Sequence, residues 1–324
     1  MSRKCVEHLR RQEYAALDLL LVDNGSTDGS ADRFAEWGLR PEEFLALPAN
    51  LGFASGMNAG LKVAHEQRYD YAWILNNDAF VETDCLSLLV ERMEARPSAG
   101  IASPRLVGDR CDDPMFGARI DWERMRIDYL RADEVPALVP SQTWYMGAAL
   151  LARMECLSQV GDFDDRFFAY HEDSDLCLRC QRAGWDLLYV EKAICSHLGG
   201  ATSGGGMSPF VAYMMSRNAW MFLKKALPRQ RYPLAFCRLA AESLRQAAAF
   251  LGHGNHSAAT AQVAGLLAAL RGEVGPPKAL MANSFLERFL VNHSWGVSVW
   301  LSRLSRLFPR QAPHLAFPIN RDNT

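Results

Sequence analysis

The chain has 324 residues, enough for one large domain or two modest ones, and its 49% hydrophobic and 22% charged content is that of a globular protein with a substantial core. A net charge of −2 excludes the basic surplus expected of a nucleic-acid binder, and no apolar run reaches the roughly 18 residues of a membrane span. Eight irregularly spaced cysteines predict reduced thiols in a cytoplasmic protein. The closest pair, Cys177 and Cys180, has no second pair to complete a zinc site and is expected to pack inside a helix.

From Leu19 to about Val190 short apolar runs alternate with helical patterns, which predicts an α/β fold built on a mostly parallel sheet. "LDLLLVD" predicts a strand, followed by a helix near Ser30 to Trp37 and a short strand at "FLAL". The glycine-rich turn "NLGFASGMNAG" leads into a helix through about Gln67, and "YAWILNND" predicts the next strand. Thr83 or Asp84 is placed to cap the helix "CLSLLVERMEAR", which stops before Pro97. "AGIASPRLV" predicts a strand, and the polar stretch after it to Pro140 carries no clear pattern. "WYMGAALLA" reads as a single strand, "DSDLCLRCQRAGW" as a helix stopped by Gly184, and "DLLYVEKAICSH" as a closing strand.

"LGGATSGGGMSP", Leu198 to Pro209, is too glycine-rich for a regular element and predicts a mobile loop. Beyond it the chain reads as helical from Leu234 to Leu270, broken at "GHGN" and again at Gly272 to Pro277. This divides the chain into an α/β domain over 1–226 and a helical region over 227–324. The last segment places Val297, Trp300, Leu301, Leu304, Leu307 and Phe308 on one helical stripe and Arg303, Arg306 and Arg310 on another. Such a helix lies in a membrane interface, or packs on its own domain or on a second subunit.

Four clusters carry the chemistry, and each falls at or just after the C-terminal end of an expected strand, where open α/β sheets bind ligands. In "VDNGSTDGS" a carboxylate leaving a buried strand can accept a pyrimidine N–H, although an Asx turn with helix caps explains the same residues. In "NLGFASGMNAG" Gly52, Gly56 and Gly60 allow backbone to approach a ligand or a packed helix, and Asn58 is a ligand contact or a cap. "WILNNDAF" ends a strand in Asn76, Asn77 and Asp78, and a hard cation bound to phosphates needs only one or two protein carboxylates. Glu172, Asp173 and Asp175 crowd three carboxylates beside Phe167, Phe168 and Tyr170, a setting that perturbs acidities and suits acid/base work, with His197 at the end of the closing strand. A helix N-terminus rich in acids accounts for Asp175 equally well.

Taken together these stretches, with "GAALLARMECLSQVGDFDDRFFAYHEDSDLCLRCQRAGW" and "SHLGG", resemble a family-2 glycosyltransferase of the GT-A fold, in its rhamnosyltransferase-like branch, from about Cys5 to Arg217. "SRNAW" at Ser216 to Trp220 also resembles the Arg-Asn helix that follows the mobile loop in these enzymes. The resemblance implies that Asp23 holds the uracil or thymine ring, that Asn24 and Ser26 shape that pocket, and that Asn58 and Asn77 lie along the nucleotide-sugar. It implies that Asp78 and His197 ligate Mg²⁺ or Mn²⁺, with Asn76 standing where a second acid could be. Asp173 becomes the general base, Glu172 its support or an acceptor contact, and Trp144, Met146 and Gly147 the acceptor side of the cleft.

The implied activity is inverting, metal-dependent transfer of a sugar, best guessed as rhamnose, from a dTDP- or UDP-sugar to a hydroxyl of a surface or cell-wall glycan, free or lipid-linked. A lipid-linked acceptor would give the C-terminal helix a reason to touch the cytoplasmic membrane face. The family normally opens with a strand and a "PTYN"-like turn before the helix that here reads "CVEHLRRQEYAA". The expectation is therefore a domain short of its first strand, through a late start, a truncation or a natural loss. A non-catalytic nucleotide-sugar-binding or scaffold protein is the competing reading. A carboxylate-pair glycoside hydrolase ranks below both, because it leaves the nucleotide-type turn and Asp78 without a task.

Overall fold

In the computed structural model the described residues are 1–108, 115–121, 126–131, 143–145, 147–198, 207–278, 280 and 285–305. The chain enters as helix α1 (Ser2–Leu9), then strand β1 (Leu21–Asp23) pairs in parallel with β2 (Phe44–Ala46) as a two-stranded sheet. Two short 3₁₀ turns, Ser30–Asp32 and Phe34–Trp37, replace the helix expected there. They are bracketed by Gly29 and Gly38, both at positive φ, which leaves too few residues between them to nucleate an α-helix. Helix α2 (Phe53–Gln67) then packs between β1 and β3 (Tyr71–Leu75).

The main sheet has five strands in the order β3, β9 (Ala149–Arg153), β5 (Ala99–Val107), β10 (Asp186–His197) and β4 (Ala79–Val81). β5 and β10 are parallel, while β9 runs antiparallel to both β3 and β5, and β4 antiparallel to β10. β3, β5 and β10 therefore share one direction, so the ends of β3 and β10 that carry Asn76–Asp78 and His197 lie on the same side of the sheet. Ile101, Leu150 and Leu151 are fully buried on the central strands, each worth about 1.5–3 kcal/mol of hydrophobic stabilisation.

The patternless polar stretch contains an antiparallel pair, β6 (Met115–Asp121) with β7 (Arg126–Arg131), to which β8 (Thr143–Tyr145) adds through β6. "WYMGAALLA" is thus not one strand. β8 and β9 belong to different sheets, and the break falls at Gly147 and Ala148. Helix α3 (Cys85–Glu94) begins after Asp84, but neither expected cap serves it; the Gln12 side-chain oxygen accepts from Leu86 N at 3.1 Å instead. Helices α4 (Met154–Val160) and α5 (Glu172–Arg182) flank β9 and β10, with Gly184 at φ +89° ending the α5 turn as expected. Cys156, Cys177 and Cys180 are buried free thiols in this layer.

The C-terminal part is helical: α6 (Pro209–Ala226), α7 (Tyr232–Gly252), α8 (His256–Leu270), α9 (Phe285–Asn292) and α10 (Ser294–Ser305). α8 is apolar around most of its circumference and is correspondingly buried along most of its length. Trp220, Phe222 and Leu223 of α6, Ala235 of α7 and Ala269 of α8 share one buried core with Ile101, Leu150 and Leu176. On α10 the buried positions are Ser294, Ser298 and Ser305, whereas Trp300 of the expected apolar stripe is 61% exposed. Val297 and Leu301 are partly buried against the α7–α8 core, and Leu307, Phe308, Arg306 and Arg310 lie outside the described residues. Among the described residues no helix is long and apolar enough to cross a membrane.

Candidate active site

The nucleotide-side turn leaves β1 at Asp23, whose Oδ2 accepts from Ser26 N at 3.2 Å, an Asx turn that leaves Ser26 exposed. Asn24 fastens this turn to the next one: its Oδ1 accepts from Leu51 N at 2.9 Å and its Nδ2 donates to Gly52 O at 2.8 Å. The glycines of that second turn serve packing. A Cβ on Gly56 would come within 3.0 Å of the Asn24 amide, and one on Gly60 within 3.3 Å of Val22. Gly52, at φ +87°, lies against Phe168, where a Cβ would collide at 2.5 Å. Asn58 spends both ends of its amide on the Phe163 backbone, donating to its O at 2.8 Å and accepting from its N at 3.0 Å. The structure thus gives Asn58 the task of tying α2 to the loop before α5.

The β3–β4 turn carries Asn76, Asn77 and Asp78. Asp78 is 3% exposed, and its Oδ1 lies 3.1 Å from His197 Nε2 at the end of β10. Asn76 Nδ2 lies 3.3 Å from the same His197 nitrogen, while its Oδ1 is buried without a hydrogen-bond partner. Asn77 Nδ2 donates to Ser2 Oγ at 3.1 Å, against α1. Among the described residues no group of three or more His, Cys, Asp or Glu could hold a metal. The set at this turn is one carboxylate, one imidazole and an orphaned amide oxygen that a rotation of the Asn76 amide would turn toward the imidazole. That set fits a hard divalent cation whose remaining positions go to water and diphosphate.

The acidic cluster opens α5. Glu172 is buried and its Oε2 has no hydrogen-bond partner, whereas Asp173 is half-buried and well supplied with donors. Gly147 N donates to Asp173 Oδ2 at 2.8 Å, and Ser174 N and Oγ donate to Oδ1 at 2.7 and 3.2 Å. Burial pushes both carboxyls up. In Asp173 the donors oppose that rise, while in Glu172 the Asp173 charge adds to it and the acidity falls much further from its ordinary value. Of the two, Glu172 is displaced further from its ordinary acidity, while the Gly147 and Ser174 donors favour the charged form of Asp173. Asp175, fully buried, belongs to the scaffold instead. It pairs with Arg179 at 2.8 Å and lies 2.5 Å from Lys225 Nζ of α6.

These parts are joined in sequence by short contacts. The Asn24 turn holds the Gly52 turn, and Ala54 N donates to Phe168 O at 3.2 Å. The 167–171 segment opens α5, Gly147 meets Asp173, and Ala148 O accepts from Asn76 N at 3.0 Å. Asp78 then meets His197. Asp23 and Asn77 make their contacts elsewhere, within the first turn and against α1. Trp144 sits in β8 opposite Ala118, and Met146 lies outside the described residues. The sequence patterns did not reveal that Phe168, Tyr170 and His171 all take positive φ, of 66°, 70° and 69°, or that Asn218 of α6 donates to the carbonyls of this turn. The "SRNAW" resemblance was the one signal pointing to that helix.

Residues 2–154 match the family model for glycosyl transferase family 2. An N-acetylglucosaminyl-diphospho-decaprenol L-rhamnosyltransferase of Mycobacterium tuberculosis is 29% identical over 208 residues, covering 56% of this chain and 66% of that protein, just under two thirds of its length. Among solved structures, the mannosyltransferase PcManGT from Pyrobaculum calidifontis, in complex with GDP-Man and Mn²⁺, superposes with a TM-score of 0.50 at 18% identity over 94% of this chain and 82% of that one. S. aureus TarS superposes with a TM-score of 0.53 at 12% identity over 94% of this chain and 52% of that one. The fold is GT-A, and over residues 2–154, just under half of its length, the chain is similar to glycosyl transferase family 2.

Proposed function

We propose that the chain is an inverting glycosyltransferase that moves a sugar, rhamnose in the best single assignment, from a dTDP- or UDP-sugar to a hydroxyl of a surface or cell-wall glycan. The observation that carries this reading is the geometry of the α5 pair: the Asp173 carboxylate held by Gly147 N and by Ser174 N and Oγ, beside a buried Glu172 whose Oε2 has no hydrogen-bond partner. A base poised in this way takes the proton of the acceptor hydroxyl as its oxygen attacks the anomeric carbon. The bond from that carbon to the diphosphate breaks on the opposite face, and one displacement inverts the centre. A positioned base contributes about 10²- to 10⁴-fold.

Asp78 and His197, with Asn76, are the residues that would hold a Mg²⁺ or Mn²⁺ ion, which when bound neutralises the charge growing on the leaving diphosphate. Asp23 and Ser26 stand at the β1 end, where the base of the nucleotide is expected, and Gly147 faces the acceptor side with Trp144 and Met146 flanking it in sequence. Similarity to a rhamnosyltransferase whose name specifies a diphospho-decaprenol acceptor supports a polyprenyl-linked glycan as the acceptor. Trp295 and Trp300 of α10 and Leu286 and Phe289 of α9 expose apolar surface suited to the membrane carrying such an acceptor.

A thermal-shift screen of UDP, dTDP and their sugars with Mn²⁺ tests the reading. A dTDP- or UDP-sugar that raises the melting temperature only with the metal supports it. No shift with any donor contradicts it.

A further inference from the structure

The turn from Phe167 to His171 places Phe168, Tyr170 and His171 at φ of 66°, 70° and 69°, a left-handed region that side-chain-bearing residues rarely adopt. None of the three is glycine, asparagine or aspartate, so local preference does not hold them there. What meets the turn is a buried pair on α6. Asn218, fully buried, directs its Nδ2 at three carbonyls, Phe167 O at 2.9 Å, Ala169 O at 2.8 Å and Tyr170 O at 2.8 Å. Its Oδ1 accepts from Arg217 Nε at 2.9 Å, which fixes the orientation of the amide. Arg217, 1% exposed, donates in turn to Phe167 O at 3.1 Å and to Gly275 O at 2.7 Å. Gly275 N closes the loop by donating to Arg166 O at 2.8 Å.

Three carbonyls converging on one amide describe a backbone folded around that side chain. The residue after the turn is Glu172 and the next is Asp173, so any rotation within 168–171 is transmitted directly to the start of α5. We propose that Arg217 and Asn218 are positioning residues: they hold the 167–171 turn in its left-handed form and thereby set where Glu172 and Asp173 enter the cleft. The link through Gly275 extends this support to the segment after α8, which makes the C-terminal helices part of the apparatus that aims the acidic pair. The claim rests on the reading of Asp173 as the base.

The test follows the carboxyls of Glu172 and Asp173 by ¹³C titration in the full chain, for the wild type and for Asn218→Ala. With the turn released and water admitted, both midpoints fall toward the ordinary carboxylate range. Release of nucleoside diphosphate from whichever donor stabilises the wild type falls by about 10²-fold. UDP and dTDP dissociation constants with Mn²⁺ stay within about two-fold, because the loss is confined to the transition state. Arg217→Lys, which keeps a charge but loses the planar fork, is the second variant if Asn218→Ala does not fold, and the same direction of change is expected. Unchanged midpoints in a folded variant overturn the proposal, as does a loss of donor affinity as large as the loss of turnover. Asp173→Asn run alongside separates the two claims. Full turnover in that variant removes Asp173 as the base, while the titration still decides whether the pair positions the turn.

Discussion

Gly147 and Asp173, 26 residues apart in the chain, meet through one hydrogen bond of 2.8 Å from backbone N–H to carboxylate Oδ2. A Cβ on Gly147 would stand 3.2 Å from Asp173 Cβ and 3.4 Å from Oδ2, so the approach leaves no comfortable room for a side chain. Gly147→Ala should therefore push Asp173 off its position without touching Asp78 or His197. We expect turnover to fall by about 10- to 10²-fold with UDP and dTDP affinity retained, as read by steady-state kinetics beside calorimetry.

The two residues opening α5 give the stability a recognisable pH profile. Burial raises the Glu172 carboxyl well above its ordinary 4.5, so the folded state holds a proton that the unfolded chain has released. Stability accordingly declines as pH rises from about 4.5 toward the folded value, and Glu172→Gln should flatten that decline in denaturant melts.

His171 acts in the opposite sense. Its ring stacks on Phe222 with centroids 5.9 Å apart, both ring nitrogens are buried without hydrogen-bond partners, and burial lowers its pKa from 6.5 to about 4. The stability linked to it is whole above pH 6.5 and is lost as pH falls toward 4, an acid limb of roughly 3 kcal/mol. His171→Phe should remove that limb, which urea melts between pH 4 and 7 measure.

Helices α6 and α8 touch at Gly265, where a Cβ would lie 2.3 Å from Tyr213 O. Because the obstacle is backbone, the helices themselves must part. Gly265→Ala is expected to cost about 1–3 kcal/mol, visible as a lower melting temperature, and to weaken the α6 frame on which Arg217 and Asn218 are mounted.

At the β3 and β10 ends, Asp78→Asn and His197→Ala should each weaken Mn²⁺-dependent donor binding by on the order of 10-fold or more, while metal-free binding of the nucleotide stays unchanged. Chelation of the wild type should reproduce the same loss by calorimetry.

The strand ends that carry the site were legible because buried strands here stop in polar residues: "LLLVD", "WILNND" and "ICSH" announce both the element and its exit. The break in "WYMGAALLA" was not, since apolar residues run through it without a change of period. What interrupts it is the close approach of Gly147 to a residue beyond α4. The face of α10 was hidden for a related reason. Large apolar side chains suggested the buried stripe, but small serines are buried, Ser298 fully so with its Oγ satisfied by Trp295 O at 2.7 Å. The left-handed turn at 168–171 left no trace in periodicity or propensity. Its cause lies about fifty residues away, in the side chain of Asn218.

The most direct test of the account is turnover by Asp173→Asn. With a donor that binds the wild type in the presence of Mn²⁺, release of nucleoside diphosphate by the variant should fall by about 10²- to 10⁴-fold while its calorimetric affinity for that donor is unchanged. Turnover equal to the wild type would contradict the assignment of Asp173 as the base and, with it, the mechanism built on the α5 pair.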